Sequence, residues 1–412
     1  MNVLHINTWG GVGGAFIAAN RLHTGLIRAG ASSTFAYGHA FNGSDTALRG
    51  LAEYQKLSDR NHRLQRSLTK LTKRLGLNDV SSLASFSLLK SELFENATIL
   101  NFHNLHSDFF SYLALPKLTV KPTVWTLHDM WAFTGHCAYS YDCSKWLTGC
   151  GHCPYLSEQP SVQRDATALE WKLKNWVYEH SNLTIVAPSR WLVEQAKQGL
   201  LSRFDVHHIP NGIDTEAYLS LDREHCRSVL GIEHDRKVLL FVAQSLKDMR
   251  KGGDLLLKAL QNMPAALKSE TLLLTLGEGG ENIAQQVGME TLNLGYVNHD
   301  RLKSIAYSAA DLFVFPTRAD NLPLVLQESL ACGTPIVSFK VGGVPDMVRP
   351  GITGYLAQPE DAEDLKNGIV QLLDDPELRS QMRKNARAIA LSEYTLDHQA
   401  QRYLELYQSI LK

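Results

Sequence analysis

Residues 317–335 read Thr317-Arg-Ala-Asp320-Asn-Leu-Pro-Leu-Val-Leu-Gln-Glu328-Ser-Leu-Ala-Cys-Gly-Thr-Pro335. They follow an apolar run, Leu312–Phe315, that has the length and composition of a buried strand. Asp320 then falls in a loop, and the Leu-Pro pair at 322–323 begins a helix that carries Glu328, since proline is tolerated in the first helical turn. Each carboxylate can accept hydrogen bonds from a pair of hydroxyl groups. The alternative is an ordinary helix with one solvent-exposed Glu.

The same alternation of short apolar runs and helical patterns continues along the whole chain. It indicates parallel sheets covered by helices, and therefore an α/β fold with two doubly wound, Rossmann-like domains. The expected strands are Val3–Asn7, Thr34–Tyr37, Thr98–Phe102, Thr123–Leu127, Leu183–Ala187, Val238–Ala243, Thr271–Leu276, Leu312–Phe315 and Pro335–Ser338. Such domains bind ligands at the carboxyl ends of their strands, so we expect a site in a cleft where the two domains face each other.

A proline and an Asn-Gly pair in Ile209–Asp214 separate the two series of strands and mark the domain junction. We therefore expect domains at 1–209 and 210–395. A last helix, at 396–412, is expected to pack back on the first domain.

The composition excludes several classes of protein. The 412 residues include 41 Lys and Arg against 42 Asp and Glu, a balance that argues against nucleic acid as a partner. No apolar run approaches the ~18 residues of a membrane-spanning helix. The N-terminus reads as a strand rather than a signal peptide, so we expect a cytoplasmic protein.

Polar or glycine-rich stretches follow two strands of the first domain. Gly10-Gly-Val-Gly13-Gly14 leads directly into a helix, where backbone amides can approach a ligand and the helix N-terminus favours negative charge. The spacing is not the dinucleotide-binding fingerprint, which disfavours an oxidoreductase, and a tight turn is the alternative. His128 follows Thr123–Leu127 and could bind a sugar hydroxyl or serve as a structural hydrogen-bonding residue.

In the second domain, Arg250 and Lys251 precede a helix that begins near Gly253. Two cations at a helix N-terminus can neutralise a diphosphate. Exposed Arg-Lys pairs are common, so this pattern alone is a weak signal.

Four cysteines, Cys137, Cys143, Cys150 and Cys153, lie in an insertion at 136–154. Their spacing allows a structural Zn²⁺ site, with His136 and His152 as alternative ligands, but reduced free thiols or disulfides are also compatible. A catalytic Zn²⁺ is disfavoured because four thiolates would leave no open coordination position.

The segment Tyr54–Leu77 is strongly basic, with seven Lys and Arg against one acid, Asp59. Its leucines fall on one helical face, so the sequence predicts a basic amphipathic helix. Such a helix suits an anionic membrane surface, but it could equally pack its leucines on the domain and leave its charges in solvent.

The order of these motifs resembles the retaining glycosyltransferases of the GT-B fold, of the family 4 or group 1 type, over nearly the whole chain. The resemblance runs from the Gly10–Gly14 loop through the junction, Lys251-Gly252 and the carboxylate pair to Gly342-Gly-Val-Pro-Asp346. The stretch around His128 and its cysteine-rich sequel resemble the exopolysaccharide subset, such as the colanic-acid transferases.

The resemblance implies a role for each donor-site residue of the second, nucleotide-sugar-binding domain. Glu328 would bind the nucleotide ribose, while Asp320 and the backbone of Asn321 and Leu322 would meet the donor sugar. The family has Glu at the first carboxylate, so the shorter Asp320 leaves the sugar open. Lys251 would bind phosphate.

The family's usual partner arginine has no counterpart here, because Gln244 and Ser245 stand at the end of that strand. Arg250 would substitute for it. In the first, acceptor-binding domain, Gly13 and Gly14 would approach the donor phosphate or the acceptor, and His128 would lie beside the transferred sugar.

The implied activity is that of a retaining hexosyltransferase that moves a sugar from a UDP- or GDP-sugar to a growing glycan in cell-surface polysaccharide biosynthesis. His128, Asp320 and Lys251 are the expected catalytic residues, and no metal cofactor is required for the chemistry. A lipid-linked acceptor would bring the protein to the inner face of the plasma membrane. The alternatives are a nucleotide-sugar epimerase or phosphorylase on the same fold, and a catalytically silent scaffold or carbohydrate-binding subunit.

Overall fold

The computed structural model describes residues 1–11, 13–40, 53–57, 62–245, 248–278 and 286–412. The chain forms two compact units: Met1–Gly212 with Asp397–Lys412, and Ile213–Leu396. The division lies three residues beyond the junction expected from the sequence. Val12 of the glycine-rich loop, and Asp59 and Arg60 of the basic segment, lie outside the described residues.

Each unit contains one parallel sheet. In the first, the order is β3-β2-β1-β4-β5-β6-β7, and in the second it is β10-β9-β8-β11-β12-β13. The strands are β1 Asn2–Gly10, β2 Ser32–Ala40, β3 Tyr54–Lys56, β4 Ile99–Phe102, β5 Thr123–Thr126, β6 Thr184–Ala187, β7 Val206–His208, β8 Lys237–Ser245, β9 Thr271–Glu278, β10 Glu290–Asn293, β11 Leu312–Phe315, β12 Ile336–Phe339 and β13 Gly354–Ala357. The two parallel-sheet α/β units predicted from the sequence are therefore confirmed.

Within the described residues, helices connect most of the successive strands, as the parallel order requires. They are α1 Gly14–Arg28, α2 His62–Arg74, α3 Ala84–Ser87, α4 Glu92–Asn96, α5 Leu115–Leu118, α6 Thr167–Glu179, α7 Arg190–Ala196, α8 Arg223–Leu230, α9 Gly253–Gln261, α10 Ala265–Ser269, α11 Asp300–Ala309, α12 Leu324–Ala331, α13 Ala362–Asp374, α14 Pro376–Glu393 and α15 Leu396–Ile410. In the described part of the chain, none of them is long and apolar enough to cross a membrane.

The central strands are buried along their whole length. Every residue of β4, β5, β11 and β12 is buried, which explains why these strands appear in the sequence as short apolar runs. The strands that the sequence did not reveal are β3, β7, β10 and β13, and they are the edge strands of the two sheets. An edge strand is covered less completely, so its sequence needs less apolar character.

Helix α15 belongs to the first unit although it follows the second in the chain. Tyr403 and Tyr407 are fully buried, and their hydroxyls lie 2.9 Å from the Thr126 hydroxyl and 2.7 Å from Nδ2 of Asn101. These contacts place the helix directly against β4 and β5.

The segment Tyr54–Leu77 is not the single helix that the sequence predicted. Tyr54–Lys56 forms the edge strand β3, which pairs in parallel with β2. The helical part is confined to α2, at His62–Arg74. The sequence predicted a helix that already begins at Tyr54, because basic residues occur both in the strand and in the helix.

Helix α2 contacts its unit through polar side chains, and of the leucines within it only Leu68 is half-buried. Gln65 and Thr69 form hydrogen bonds with residues 81–83 of the first unit. Leu64, Leu71 and Leu75 are 54%, 56% and 46% exposed. The helix therefore contacts its own unit through polar side chains and presents leucines to the outside.

Candidate active site

The second unit brings Arg250, Lys251 and Asp320 together at the carboxyl ends of neighbouring strands. Lys251 Nζ lies 2.7 Å from Oδ2 of Asp320, and Arg250 Nη1 lies 3.1 Å from the same oxygen. Burial alone would raise the pKa of Asp320, but the two adjacent cations outweigh it and hold that pKa below its usual value. Asp320 is therefore a carboxylate that neutralises a pair of cations.

Two glycines allow the loops of this site to approach each other. Gly252 has a φ of +70°, and an added Cβ would lie 1.8 Å from the Pro316 carbonyl oxygen. Gly342 has a φ of +50°, and its Cβ would lie 1.9 Å from the Asp320 carbonyl oxygen. Any side chain at either position would push the loops apart.

The second carboxylate, Glu328, lies on α12 and is only 4% exposed. The alternative of a solvent-exposed Glu on a helix face is therefore wrong. The Tyr307 hydroxyl donates a hydrogen bond of 3.3 Å to Glu328 Oε2. Asn321 and Leu322 follow Asp320 and are buried, and the Asn321 amide donates to Asp320 Oδ1 at 3.1 Å.

Arg318 supports the site, although the sequence analysis did not single it out. Its guanidinium donates two 2.8 Å hydrogen bonds to the carboxylate of Asp254, in the first turn of α9. It also donates to the Met249 carbonyl at 2.6 Å and to Glu360 at 3.1 Å. These bonds fasten the loop of Arg250 and Lys251 to the end of β11. Its position, two residues before Asp320, was the available signal.

In the first unit, the predicted glycine loop ends β1 and begins α1. Gly13 is the residue before the helix and has a φ of +86°, a value that favours glycine. Around both Gly13 and Gly14, an added Cβ would meet no described atom within 4 Å. The space that a ligand would need beside these amides is therefore open within the described residues.

His128 follows β5 and belongs to a group of histidines that the sequence did not predict. His103 Nδ1 lies 3.0 Å from His128 Nε2, and His5 Nδ1 lies 3.0 Å from His103 Nε2. Burial lowers the pKa of His128 to about 4 and lowers the pKa values of His5 and His103 well below the usual 6.5. His128 is therefore neutral at physiological pH.

A charged pair lies beside this group. His106 Nε2 is 3.1 Å from Asp129 Oδ2. Burial would lower the pKa of His106, but the Asp129 carboxylate outweighs it and raises that pKa. The loop after β5 thus carries the neutral imidazole of His128 and the Asp129 carboxylate, which favours protonation of His106 in the loop after β4.

The four cysteines of the insertion line one small cavity together with His136. The Gly135 amide donates to Cys150 Sγ at 3.2 Å, and His136 Nε2 lies 3.4 Å from Cys153 Sγ. Burial raises the pKa of Cys137 to about 12 and that of Cys150 to about 11, so both are protonated thiols. Among the described residues, which include the whole insertion, no group of three His, Cys, Asp or Glu is arranged to hold a metal ion.

Two protein-family models match the chain. The one described as glycosyl transferases group 1 matches residues 222–389, and the one described as glycosyltransferase family 4 matches residues 12–217. Together they cover most of both units, including every residue that the sequence predicted for the site.

Proteins of similar sequence carry related names. WcaC of Escherichia coli strain K12, whose name provisionally assigns it to colanic acid biosynthesis as a glycosyl transferase, is 28% identical over 364 residues, covering 82% of this chain and 83% of WcaC. The lipopolysaccharide 1,2-N-acetylglucosaminetransferase of Salmonella typhimurium is 30% identical over 237 residues, covering 54% of this chain and 61% of that protein.

Solved structures share the fold. HepE of Anabaena, in complex with UDP and glucose, superposes with a TM-score of 0.70 at 18% identity and covers 99% of this chain and 100% of its own. WaaG, a glycosyltransferase involved in lipopolysaccharide biosynthesis, superposes with a TM-score of 0.68 at 18% identity and covers 98% and 99% of the two chains. The predicted GT-B fold is thereby confirmed.

The neutral histidines predict that the first unit loses stability in mild acid. His5, His23, His103 and His128 have lowered pKa values in the folded chain, about 4 for His23 and His128. The unfolded chain binds protons on them near pH 6.5, so stability should fall as the pH decreases from 6.5 toward 4. Each histidine contributes up to about 1.4 kcal/mol per pH unit in that window.

Urea unfolding followed by tryptophan fluorescence would measure this slope in the first unit, since all seven tryptophans lie before Gly212. His23→Phe should reduce this slope by the contribution of one histidine, up to about 1.4 kcal/mol per pH unit. A free energy of unfolding that is constant between pH 6.5 and 5 would contradict the assignment of neutral histidines.

Proposed function

Because this chain belongs to the GT-B glycosyltransferases of the group 1 and family 4 type, we propose that it transfers a sugar from a nucleotide-diphosphate sugar to a growing glycan of the cell surface, with retention of the anomeric configuration. Its membership supports glycosyl transfer in polysaccharide or lipopolysaccharide synthesis. The observation that carries the donor assignment is the cluster of Lys251, Arg250 and Asp320, with Glu328 buried on the following helix.

The two cations are suited to a leaving diphosphate. Lys251 and Arg250 precede α9 and stand at its N-terminus, where both side-chain charge and backbone amides favour an anion. They would stabilise the charge that develops on the diphosphate as its bond to the sugar breaks, so a metal cofactor is not required. UDP in the solved HepE structure supports a UDP-sugar as the first donor to test.

Transfer then needs no protein nucleophile. The acceptor hydroxyl attacks the anomeric carbon on the face from which the diphosphate departs, and a phosphate oxygen takes the hydroxyl proton. Asp320 would bind sugar hydroxyls and Glu328 the ribose hydroxyls. His128, which is neutral, would donate a hydrogen bond to the transferred sugar, and Gly13 and Gly14 would accommodate the donor phosphate or the acceptor.

A panel of UDP- and GDP-sugars, assayed for nucleotide release with and without glycan acceptors, tests this function directly. NMR of the product linkage reports whether the anomeric configuration is retained. Conversion of the donor to its epimer would instead identify an epimerase. Carbohydrate binding without turnover of any donor would identify a silent binding subunit.

Lys251→Ala and Glu328→Ala should each weaken donor binding and transfer by about ten- to a hundredfold, because each removes a charge-assisted hydrogen bond of about 1.5–3 kcal/mol. Calorimetric titration with UDP and steady-state kinetics provide the two measurements. Lys258→Ala is the matched control, since Lys258 lies on the outer face of the same helix and is exposed. Wild-type donor affinity in both site variants would place the donor elsewhere.

We also propose a structural Zn²⁺ in the cysteine cavity, separate from the chemistry. The convergence of four thiols and His136 on one cavity supports it, although bound Zn²⁺ would require the thiols to move closer and to deprotonate. We expect about one Zn²⁺ per chain by elemental analysis, and transfer that survives brief exposure to EDTA. A zinc-free protein with full activity and unchanged heat stability would exclude the site, and immediate loss of transfer in EDTA would exclude metal-independent chemistry.

A further proposal concerns location: α2 attaches the protein peripherally to the inner face of the plasma membrane, where a lipid-linked acceptor would reside. Leu64 and Leu71 are more than half exposed, and Arg63, Arg66 and Lys70 are exposed on the adjoining face. Leucines can enter the headgroup region while each cation gains about 1 kcal/mol near an anionic leaflet.

Wild-type protein should therefore sediment with vesicles of phosphatidylglycerol at low salt and be released at high salt, because salt screens the attraction. Replacing Arg63, Arg66 and Lys70 with Gln should abolish binding while sparing transfer to a soluble acceptor. The same change at the exposed Lys117, Lys172 and Lys197 alters net charge equally and should leave binding intact. Lys73 is left unchanged because it pairs with Asp108. Failure of wild-type protein to bind these vesicles would indicate a soluble acceptor.

A further inference from the structure

His5, His103 and His128 form one continuous chain of imidazole rings across three neighbouring strands of the first sheet. His5 lies on β1, His103 follows β4 and His128 follows β5. Their rings stack in sequence, with centroids 5.3 Å apart for His5 and His103 and 5.2 Å apart for His103 and His128. Both links between rings are nitrogen–nitrogen hydrogen bonds of 3.0 Å.

A chain of neutral imidazoles permits only two arrangements of protons. Each neutral ring has one N–H donor and one bare nitrogen acceptor. His103 uses both of its nitrogens, so it must donate in one direction and accept from the other. The donors therefore all point from His5 toward His128, or all point from His128 toward His5.

The inner end of the chain decides between the two arrangements. His5 Nε2 is buried and has no hydrogen-bond partner within the described residues. If the donors pointed inward, this nitrogen would be an orphaned N–H, whereas outward donors leave it as a bare acceptor. Among backbone groups, orphaned buried N–H donors are rarer than under-satisfied C=O acceptors, and we apply the same preference to the imidazole. The outward arrangement therefore requires that His128 accepts at Nε2 and carries its own proton on Nδ1.

We propose that His103, anchored by His5, is a positioning residue that holds His128 as the Nδ1–H tautomer. The proposal rests on the proposed contact between His128 and the transferred sugar. With Nε2 accepting from His103, His128 carries its proton on Nδ1 and does not act as a general base through Nε2. The charged pair of His106 and Asp129 lies beside His128 but does not replace this link.

The tautomer can be read directly from two-bond ¹H–¹⁵N correlation spectra of the full chain labelled with ¹⁵N-histidine. The His128 signals are assigned by their loss in His128→Gln. We expect Nδ1–H in the wild type and a mixture of tautomers in His103→Leu. In His103→Gln, the amide can still donate to Nε2 and should preserve the wild-type tautomer. An Nε2–H tautomer of His128 in the wild-type protein would overturn the proposal.

Transfer kinetics test the consequence of this positioning. His103→Leu should lower kcat on the order of tenfold with little change in donor KM, a part of the roughly 10²–10³ that one positioned hydrogen-bond donor can contribute. His103→Gln should recover most of the lost kcat. His23→Leu is the matched control, because His23 is buried beside His5 and bonds Ser33 rather than the chain of imidazoles. Equal losses of kcat in His23→Leu and His103→Leu would show that His103 contributes only packing and would overturn its positioning role.

Failure of this inference is distinguishable from failure of the proposed function. If His128→Gln transfers sugar at the wild-type rate, the role proposed for His128 is wrong, whereas the tautomer measured in the wild type stands on its own. If His103→Leu does not fold, the wild-type spectrum and the kinetics of His103→Gln still decide the question.

Discussion

A strand that is buried on both faces can carry exposed polar groups only where it ends. The central strands of both sheets obey this constraint, since β4, β5, β11 and β12 contain no exposed residue. His103, His128 and Asp320 each come directly after such a strand or within a short loop of it. The parallel arrangement then brings the loops that follow neighbouring strands to the same edge of the sheet, the one formed by the carboxyl ends of the strands. The chemistry of each unit is concentrated at one edge for this reason.

At that edge, the second unit balances its own charges before any ligand arrives. Two adjacent cations repel each other, and the free-energy cost of this repulsion increases where water is partly excluded. Asp320 offsets this cost by sharing one oxygen with both Lys251 and Arg250. Arg318 holds the same loop through Asp254, so the cations are already in place when a diphosphate binds. Under the proposed function, little side-chain freedom remains to be lost on donor binding.

The sequence predicted the central strands of the two sheets better than the edge strands. Leu312–Phe315 was identified at its observed bounds, because a run with no polar residue has few other structures open to it. The edge strands escaped detection since β7 and β10 are short and partly polar. In the basic segment, leucine spacing indicated a helix but could not show that the Gln65 side chain would accept a hydrogen bond from the backbone of Leu83.

Within the candidate site, the sequence identified residues that could bind a ligand directly. Lys251, Asp320 and Glu328 fall in a recognisable order, and the structure brings Lys251 and Asp320 into contact. The residues that hold them could not be found in this way. Arg318 and His103 act through partners that are 64 and 25 positions away in the chain, and no local pattern encodes such distances.

The docking of α15 has a consequence for biosynthesis on the ribosome. The apolar cluster on one face of the first sheet includes Val3, Leu22 and Val186 from the start of the chain, and Tyr403 and Tyr407 from α15. The cluster cannot close until the whole of Ile213–Leu396 has been translated. At ~5–20 residues per second, the nascent first unit exposes that apolar face for on the order of ten seconds or more. During that interval, the apolar face is open to contact with other unfolded chains, which favours aggregation.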